Sequence, residues 1–436
     1  MIHPTEVVLS FDFSLDQLDV SLQADTPGWG WSHRAYSNNW PGFQQLKADL
    51  LATLPDQTQV HLTAVGESTG LYWWHAFYQL SHDDELVTYD PSLALLNPLH
   101  VKRFRQALAE QDKSDQLDPH LIERYYRAVG VKNPYQFNDR YLPLRFLSRA
   151  YCRLTHTLAA EKAYLLALLF LTASEYQRLK PFSNLCGVTS GQVLDEFADI
   201  QAIADLPLES LTEQLQTYAG QTLPDPRRSA QILRQVAQDS YPLPPALATT
   251  LHTLVQHTLG QIRFLSDHQK AYRQQNVQAL AHLPEAQPAL DQPGLGPILV
   301  AGCLSEIQDT QRFISGAKFD RKLQAQRPKT YRDGQAAVAK YAGLWWPKHD
   351  SGRFHSQDRH LSRERNPYLR YWFVQAAHTL QRYQPDYAAY YWRKFHEATK
   401  HQHKRALVLT ARKAVRLIFA LLHKGQRAGR EEGLIT

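Results

Sequence analysis

The sequence predicts an α/β N-terminal domain, a helical middle region and a basic, mostly α-helical C-terminal domain. Three observations predict it. Over residues 1–150, β-branched and aromatic runs alternate with stretches of helical periodicity. Over residues 151–288, apolar positions recur at helical spacing. Charge is divided unevenly: residues 301–436 hold 26 Lys and Arg against 11 Asp and Glu, a net of +15, whereas residues 1–300 carry a net of −9. A last third this basic points to a polyanion partner. The expected domains are 1–150, 151–288 and 289–436, a division that a 436-residue chain is long enough to support.

In the first domain, strands are expected over 6–13, 17–23, 59–65 and 86–90, with a further strand inside 29–37 and a helix near 43–54. A helix follows Gly70 to about Ser81, and a helical stretch follows Pro91 to Leu108. Asp12 sits within the apolar run Val7-Val8-Leu9-Ser10-Phe11-Asp12-Phe13, where an acid is costly unless it is paired or holds a metal. Glu67 falls at a strand end, before a helix rich in aromatics. Asp112-Lys113-Ser114-Asp115-Gln116-Leu117-Asp118 reads as a helix opening, with Ser114 as N-cap and Leu121, Ile122 and Tyr125 behind it. Asp115 and Asp118, three apart, share a helix face. Such a pair is either solvated, where it suits the helix dipole, or part of an oxygen-ligand site for a hard cation. A strand acid, a strand-end acid and a helical acid pair, in that order, can bring four carboxylates to one sheet edge. Two adjoining strands followed by βα units is also the order of a ribonuclease-H-like domain.

The middle region breaks at Pro242-Leu243-Pro244-Pro245, and a stripe of Leu247, Leu251, Leu254, Val255, Leu259, Ile262 and Leu265 follows. Two readings stay open: a helical spacer packed on itself, or a coiled-coil arm that pairs with another chain. The basic domain opens on Gly294-Leu295-Gly296-Pro297 before an apolar helix. Glycines there let backbone N–H groups approach a phosphate, although a plain turn has the same pattern. Residues 314–331 are polar and basic. Two last helices are expected over 387–401 and 404–423, the second carrying Arg412, Lys413 and Arg416 beside an apolar face.

In order and context these residues resemble the DEDD transposases of the insertion-sequence 110 family, the bridge-RNA-guided recombinases. Members carry an Asp in the first strand, a Glu-Ala/Ser-Thr-Gly segment and a Lys-Ser/Thr-Asp-x-x-Asp motif. Here Phe11-Asp12-Phe13, Glu67-Ser68-Thr69-Gly70 and Lys113-Ser114-Asp115-Gln116-Leu117-Asp118 match them. Gly294-Leu295-Gly296-Pro297 and Tyr341-Ala342-Gly343-Leu344 match two further family segments, with residues 314–331 set between them as an insertion. The family's Arg-Gly-Asn-x-x-Leu-Arg is matched by Arg365-Asn366-Pro367-Tyr368-Leu369-Arg370, except that Arg365 stands where the glycine would be.

The resemblance implies a RuvC-like N-terminal domain in which Asp12, Glu67, Asp115 and Asp118 hold Mg²⁺ or Mn²⁺. It implies a helix-hairpin-helix-like element at Gly294 and Gly296. It singles out Ser351, in Asp350-Ser351-Gly352, as the nucleophile, with Ser356 and Ser362 as competitors that precede no glycine. Lys113, Arg353, Arg370, Arg412 and Arg416 join the two glycines as expected nucleic-acid contacts. The implied reaction is strand exchange between element ends and a target, through a covalent serine–DNA intermediate. The implied partners are double-stranded DNA, a structured guide (bridge) RNA and further copies of the chain, as a dimer assembling to a tetramer. Two other readings use the same residues: a Holliday-junction resolvase with water as nucleophile, and an inactive nucleic-acid-binding descendant.

Three widely spaced cysteines, Cys152, Cys186 and Cys303, argue against a disulfide framework or a zinc site and suit a reducing cytoplasm. The N-terminus lacks a secretion-signal pattern, and the apolar run 163–173 is too short to span a bilayer. A bacterial cytoplasmic location beside the nucleoid, away from membranes, is the expectation.

Overall fold

The computed structural model describes residues 5–24, 26, 29–54, 60–108, 118–131, 134–197, 200–320, 323–347, 350–351, 354–355, 360–362 and 365–433. They form two compact units, Met1–Asp139 and Arg140–Thr436.

The first unit runs β1 (Thr5–Phe13), β2 (Gln17–Ala24), β3 (Trp31–Ser37), α1 (Trp40–Thr53), β4 (Val60–Glu67), α2 (Trp74–His82), β5 (Ser92–Leu96), α3 (Pro98–Ala107) and α4 (Asp118–Val129). The strands form one mixed sheet in the order β3-β2-β1-β4-β5. β2 pairs antiparallel with β1 and with β3; β4 pairs parallel with β1 and with β5. Alternation along β1 sends Val7, Leu9, Phe11 and Phe13 into one core with Phe43, Leu46 and Leu50 of α1 and Phe77 of α2. It sends Val8 to the other face, with Val65, Ala94, Leu96, Val101 of α3, and Leu121 and Ile122 of α4. Both faces are covered, so the middle of β1 carries apolar side chains on both of its faces. Asn39 caps α1 by accepting from the Gly42 N–H at 2.9 Å.

One expected strand is corrected. Residues 86–89 form a 3₁₀ turn (Leu86–Tyr89), not a strand, and the fifth strand lies at Ser92–Leu96. Asp90, at φ 43°, and the following Pro91 end the turn and redirect the chain. Ser92–Leu96 reads as helix by composition, yet the free edge of β4 supplies the ladder that makes it a strand. The helix expected after Pro91 therefore starts only at Pro98, capped by Asn97.

The second unit begins with α5 (Leu142–Thr172), α6 (Tyr176–Leu179), α7 (Val188–Glu196), α8 (Leu208–Ala219), α9 (Pro226–Asp239) and α10 (Pro245–Ala281). It continues with α11 (Gln287–Leu290), α12 (Pro297–Ile307), α13 (Gln311–Ile314), the hairpin β6 (Ala317–Asp320) and β7 (Ala325–Pro328), and α14 (Tyr331–Tyr341). A short hairpin, β8 (Asp350–Ser351) and β9 (Phe354–His355), precedes α15 (Pro367–Tyr383), α16 (Pro385–Glu397) and α17 (Gln402–Glu431).

α5 and α10 pack against each other and join two cores. The N-terminal part of α5 (Leu144, Cys152) and the C-terminal part of α10 (Leu280) enter one core with α12, α15 and α17. Their opposite ends (Leu158, Leu165, Leu169; Leu251, Val255, Leu259, Ile262) enter a second core with α7, α8 and α9. The pair is therefore antiparallel, with Gln269 Nε2 donating to Thr155 Oγ1 at 2.8 Å between them. The expected stripe on α10 is thus mostly spent within the chain, while Leu247 and Leu254 stay exposed. Residue 150, the expected end of the first domain, lies inside α5. The apolar run 163–173 is the end of that 31-residue helix, which by length and composition alone is apolar enough to cross a membrane. Leu158, Leu165, Leu168 and Leu169 on it are buried in the second core.

Candidate active site

Asp12 and Glu67 stand side by side at one end of the sheet. The last register pair between β1 and β4 is Phe11 with Gly66. One residue further, Asp12 and Glu67 lie on adjoining parallel strands, whose spacing is about 4.8 Å. Both are half-buried, and alternation puts both on the face covered by α3 and α4. Asp118 opens α4 over that face. It is 6% exposed and accepts from Arg105 Nη2 of α3 at 2.5 Å. Lys113, Ser114 and Asp115 lie outside the described residues.

The structure adds an acid that the sequence reading missed. Asp19 on β2 is the cross-strand partner of Asp12. It is 5% exposed and accepts from Gln17 Nε2 at 2.9 and 3.0 Å, with His33 Nε2 at 2.8 Å. Asp19, Asp12 and Glu67 thus occupy three neighbouring strands at one sheet end. The signal was present, since Asp19 stands between Leu18 and Val20 much as Asp12 stands between Phe11 and Phe13. Among the described residues, no three His, Cys, Asp or Glu side chains converge closely enough to hold a metal ion. The donors at this edge are carboxylate oxygens, which suit a hard divalent cation.

In the second unit Ser351 falls in β8, paired with Phe354 in a two-stranded hairpin. The ladder between Asp350–Ser351 and Phe354–His355 turns the run into paired strands. Gly352, Arg353 and Ser356 lie outside the described residues. Ser362 is 7% exposed, which leaves its hydroxyl poorly placed to reach a substrate.

The motif residues around this hairpin hold the architecture together. Arg370 donates to three backbone carbonyls: Ala342 at 3.1 Å, Gly343 at 2.6 Å and Ser362 at 2.9 Å. Burial, and then the charge of Arg365, lower its pKa. Asn366 caps α15 by accepting from the Leu369 N–H at 3.0 Å, and its amide donates to Glu306 at 2.7 Å. Arg365, the residue in the glycine's place, has no positive φ, so the substitution carries no left-handed strain. Gly294 takes φ 93° in the turn before α12, and its carbonyl accepts from Thr379 at 2.6 Å. Gly296 is the N-cap of α12, with open space where a Cβ would stand. Arg412 and Arg416 lie one turn apart on α17, beside α14. Burial pushes the Cys152 thiol up to about 11 and raises that of Cys303 further, so neither is a ready nucleophile.

Two comparisons with known proteins bear on this arrangement. A family model for the DEDD transposases of IS110, described as a transposase, matches residues 11–173. A second, described as the transposase IS116/IS110/IS902 family, matches residues 324–392. The chain is also similar to the pilin gene-inverting proteins of Moraxella bovis and Moraxella lacunata, at 28% identity over 96 residues in each case. Those matches cover 22% of this chain and only 27% of each relative.

Proposed function

Because this chain belongs to the insertion-sequence 110 family of DEDD transposases, we propose that it is a DNA recombinase whose strand cleavage and exchange need a divalent metal, a serine nucleophile and a structured guide RNA. The observation that carries the reading is the place of Asp12 and Glu67 just past the last register pair of two adjoining parallel strands, with Asp118 on the helix that covers them. Three antiparallel strands, with two parallel strands added on the side of β1, support a ribonuclease-H-like, RuvC-like first domain. A relative named for inverting a gene also rearranges DNA, in keeping with this reading.

Asp12, Glu67, Asp115 and Asp118 would hold Mg²⁺ or Mn²⁺, which when bound neutralises phosphate charge and steadies attacking and leaving oxygens. Ser351 Oγ forms the new bond to phosphorus and gives up its proton. The deoxyribose oxygen that leaves takes one and later re-attacks to seal the exchanged strand. Arg353 lies next but one to Ser351 and would hold the scissile phosphate. Arg370 would keep the Ala342-Gly343 turn in place through its three carbonyl contacts. Element ends and target are the DNA substrates. The guide RNA supplies sequence choice, and the work takes place on DNA in the bacterial cytoplasm. α5 and α10 would carry the dimerisation arm, with two dimers forming the working tetramer.

The test is Ser351→Ala, assayed beside Ser356→Ala and Ser362→Ala with both DNAs, guide RNA and Mg²⁺. Denaturing gels should show protein-linked DNA in all but Ser351→Ala. Covalent product that survives in Ser351→Ala and vanishes in a neighbour moves the nucleophile there. Cleavage with no covalent product in any protein, wild type included, points to water as nucleophile, as in a resolvase.

A further inference from the structure

Between α14 and α17 lies a cleft of about 500 Å³ lined by Arg332, Gln335, Ala336, Arg412 and Arg416. The spacing makes the lining. Arg332, Gln335 and Ala336 share one face of α14, and Arg412 and Arg416 are four apart on α17. Residue 334 is glycine, and side chains of α13 and α17 pack closely on it. A Cβ there would meet Ile314 Cγ2 at 2.3 Å and Phe419 Cζ at 3.1 Å. Among the described residues, no acid lines the cleft. The acid of α14, Asp333, is taken by Lys318 at 2.8 Å and Arg327 at 2.7 Å, and also accepts from the Thr330 N–H. That of α17, Glu431, is paired with Arg427 near the helix end.

Arg412 Nη1 is shut off from solvent and makes no hydrogen bond among the described residues. A buried guanidinium donor without an acceptor is costly, and Arg416 one turn away adds like-charge repulsion. Burial, and then Arg416, lower the Arg412 pKa, the direction expected of a cation short of a counter-charge. An anion in the cleft would satisfy the donor and offset both penalties. Three guanidinium groups with one carboxamide present many N–H donors, which suits a tetrahedral oxyanion better than a singly charged planar carboxylate. Arg332 and Arg416 are exposed, so a phosphate carried on a long chain can reach the cleft.

We propose that the cleft between α14 and α17 is a phosphate site that grips one or two backbone phosphodiesters of bound nucleic acid through Arg332, Arg412 and Arg416. This rests on the reading that the chain acts on nucleic acid, and it adds Arg332 and Gln335 to the expected contacts. The experiment uses the full chain as wild type, Arg412→Gln, Arg412→Lys and the double variant Arg332→Gln/Arg416→Gln. Affinity for a 30-base-pair duplex DNA of arbitrary sequence and for an RNA hairpin is measured by fluorescence anisotropy across a salt series. Arg412→Gln should bind about tenfold more weakly, with a log–log salt slope lower by about 1, and the double variant lower by about 2. Arg412→Lys should restore the slope and only part of the affinity, since a point charge replaces the fork. The double variant changes exposed side chains, so it keeps the test open if Arg412→Gln folds poorly by circular dichroism. A loss confined to the duplex assigns the site to DNA; a loss confined to the hairpin assigns it to RNA. Folded variants that match wild type in affinity and slope on both probes overturn the site and leave the functional reading standing. Wild type that binds neither probe overturns the functional reading, and the site with it.

Discussion

Arg149 and Glu306, 157 positions apart, form a two-point ion pair: Arg149 Nε to Glu306 Oε1 at 2.6 Å and Nη2 to Oε2 at 2.9 Å. The Glu306 side chain has no exposure at all, and Asn366 donates to the same carboxylate. One buried charge therefore ties α5, α12 and the capped start of α15 to each other. It also explains why the Asn of the Arg-Asn-Pro-Tyr-Leu-Arg segment is an Asn, since one amide serves a cap and a buried carboxylate at once.

Glu306→Gln should lower stability by about 3 kcal/mol, the low end for breaking a buried pair, because Arg149 keeps some solvent contact. Burial alone would push the Glu306 carboxyl up. The hydrogen bond from Arg149 and the charges of Arg145 and Arg149 outweigh it, and the net shift is below the ordinary 4.5. A depressed folded value means that the stabilisation is complete above about pH 4.5 and is lost as pH falls through the folded value. Urea midpoints at pH 7, 5 and 4 should show wild type falling more steeply with acid than Glu306→Gln. Parallel curves would remove Glu306 from the acid response.

Asp12→Asn and Glu67→Gln should each cut recombination by at least about 10²-fold, as expected when several kcal/mol of charge stabilisation at the phosphate is lost. Asp115→Asn and Asp118→Asn should do the same, although Asp118→Asn also gives up the ion pair with Arg105. Nucleic-acid binding and the circular-dichroism melt should stay near wild type for Asp12→Asn and Glu67→Gln. Normal recombination by Asp115→Asn would falsify its place in the metal set.

Gly343→Ala should cost about 1–3 kcal/mol. Gly343 has φ 68°, and a Cβ there would stand 2.3 Å from Arg370 Nη2 and 2.6 Å from Arg365 Cβ. Chemical denaturation measures the loss. A midpoint equal to wild type would show that the turn tolerates a side chain and that Arg370 does not clamp it.

A fragment of residues 1–139 should fold cooperatively and be inert in recombination, because it carries the strand acids and lacks both Ser351 and the arginines of α14 and α17. Extending it to residue 150 should add exposed apolar surface without stability, since Leu144 of α5 packs in the core of the second unit. Circular dichroism with urea titration tests the first part, and metal-dependent strand exchange by the fragment would contradict the second.

Period-2 and period-3.6 patterns fixed most elements of the first unit in advance. β1, β2 and β4, the strand inside 29–37, the helix before β4 and the apolar face of α4 were all readable from apolar placement alone. The placement of Asp12 inside a strand and of Glu67 at a strand end was readable too, because an acid in an apolar run stands out chemically. What needed the tertiary structure were features decided by a neighbour. Ser92–Leu96 became a strand because β4 offered it an edge, while the strand expected at 86–90 is a 3₁₀ turn over Leu86–Tyr89. Asp19 joined the acidic sheet end through cross-strand register, which a one-dimensional pattern does not carry. Arg370, expected at phosphate, also reaches three carbonyls, since a guanidinium takes whatever acceptors the fold brings within reach. The arginine cleft required α14 and α17 to meet, so that residues eighty positions apart could line one space. Local periodicity depends on a residue's own neighbours in the chain. Ion pairs, clefts and strand edges depend on which segments meet, and only the folded chain sets that.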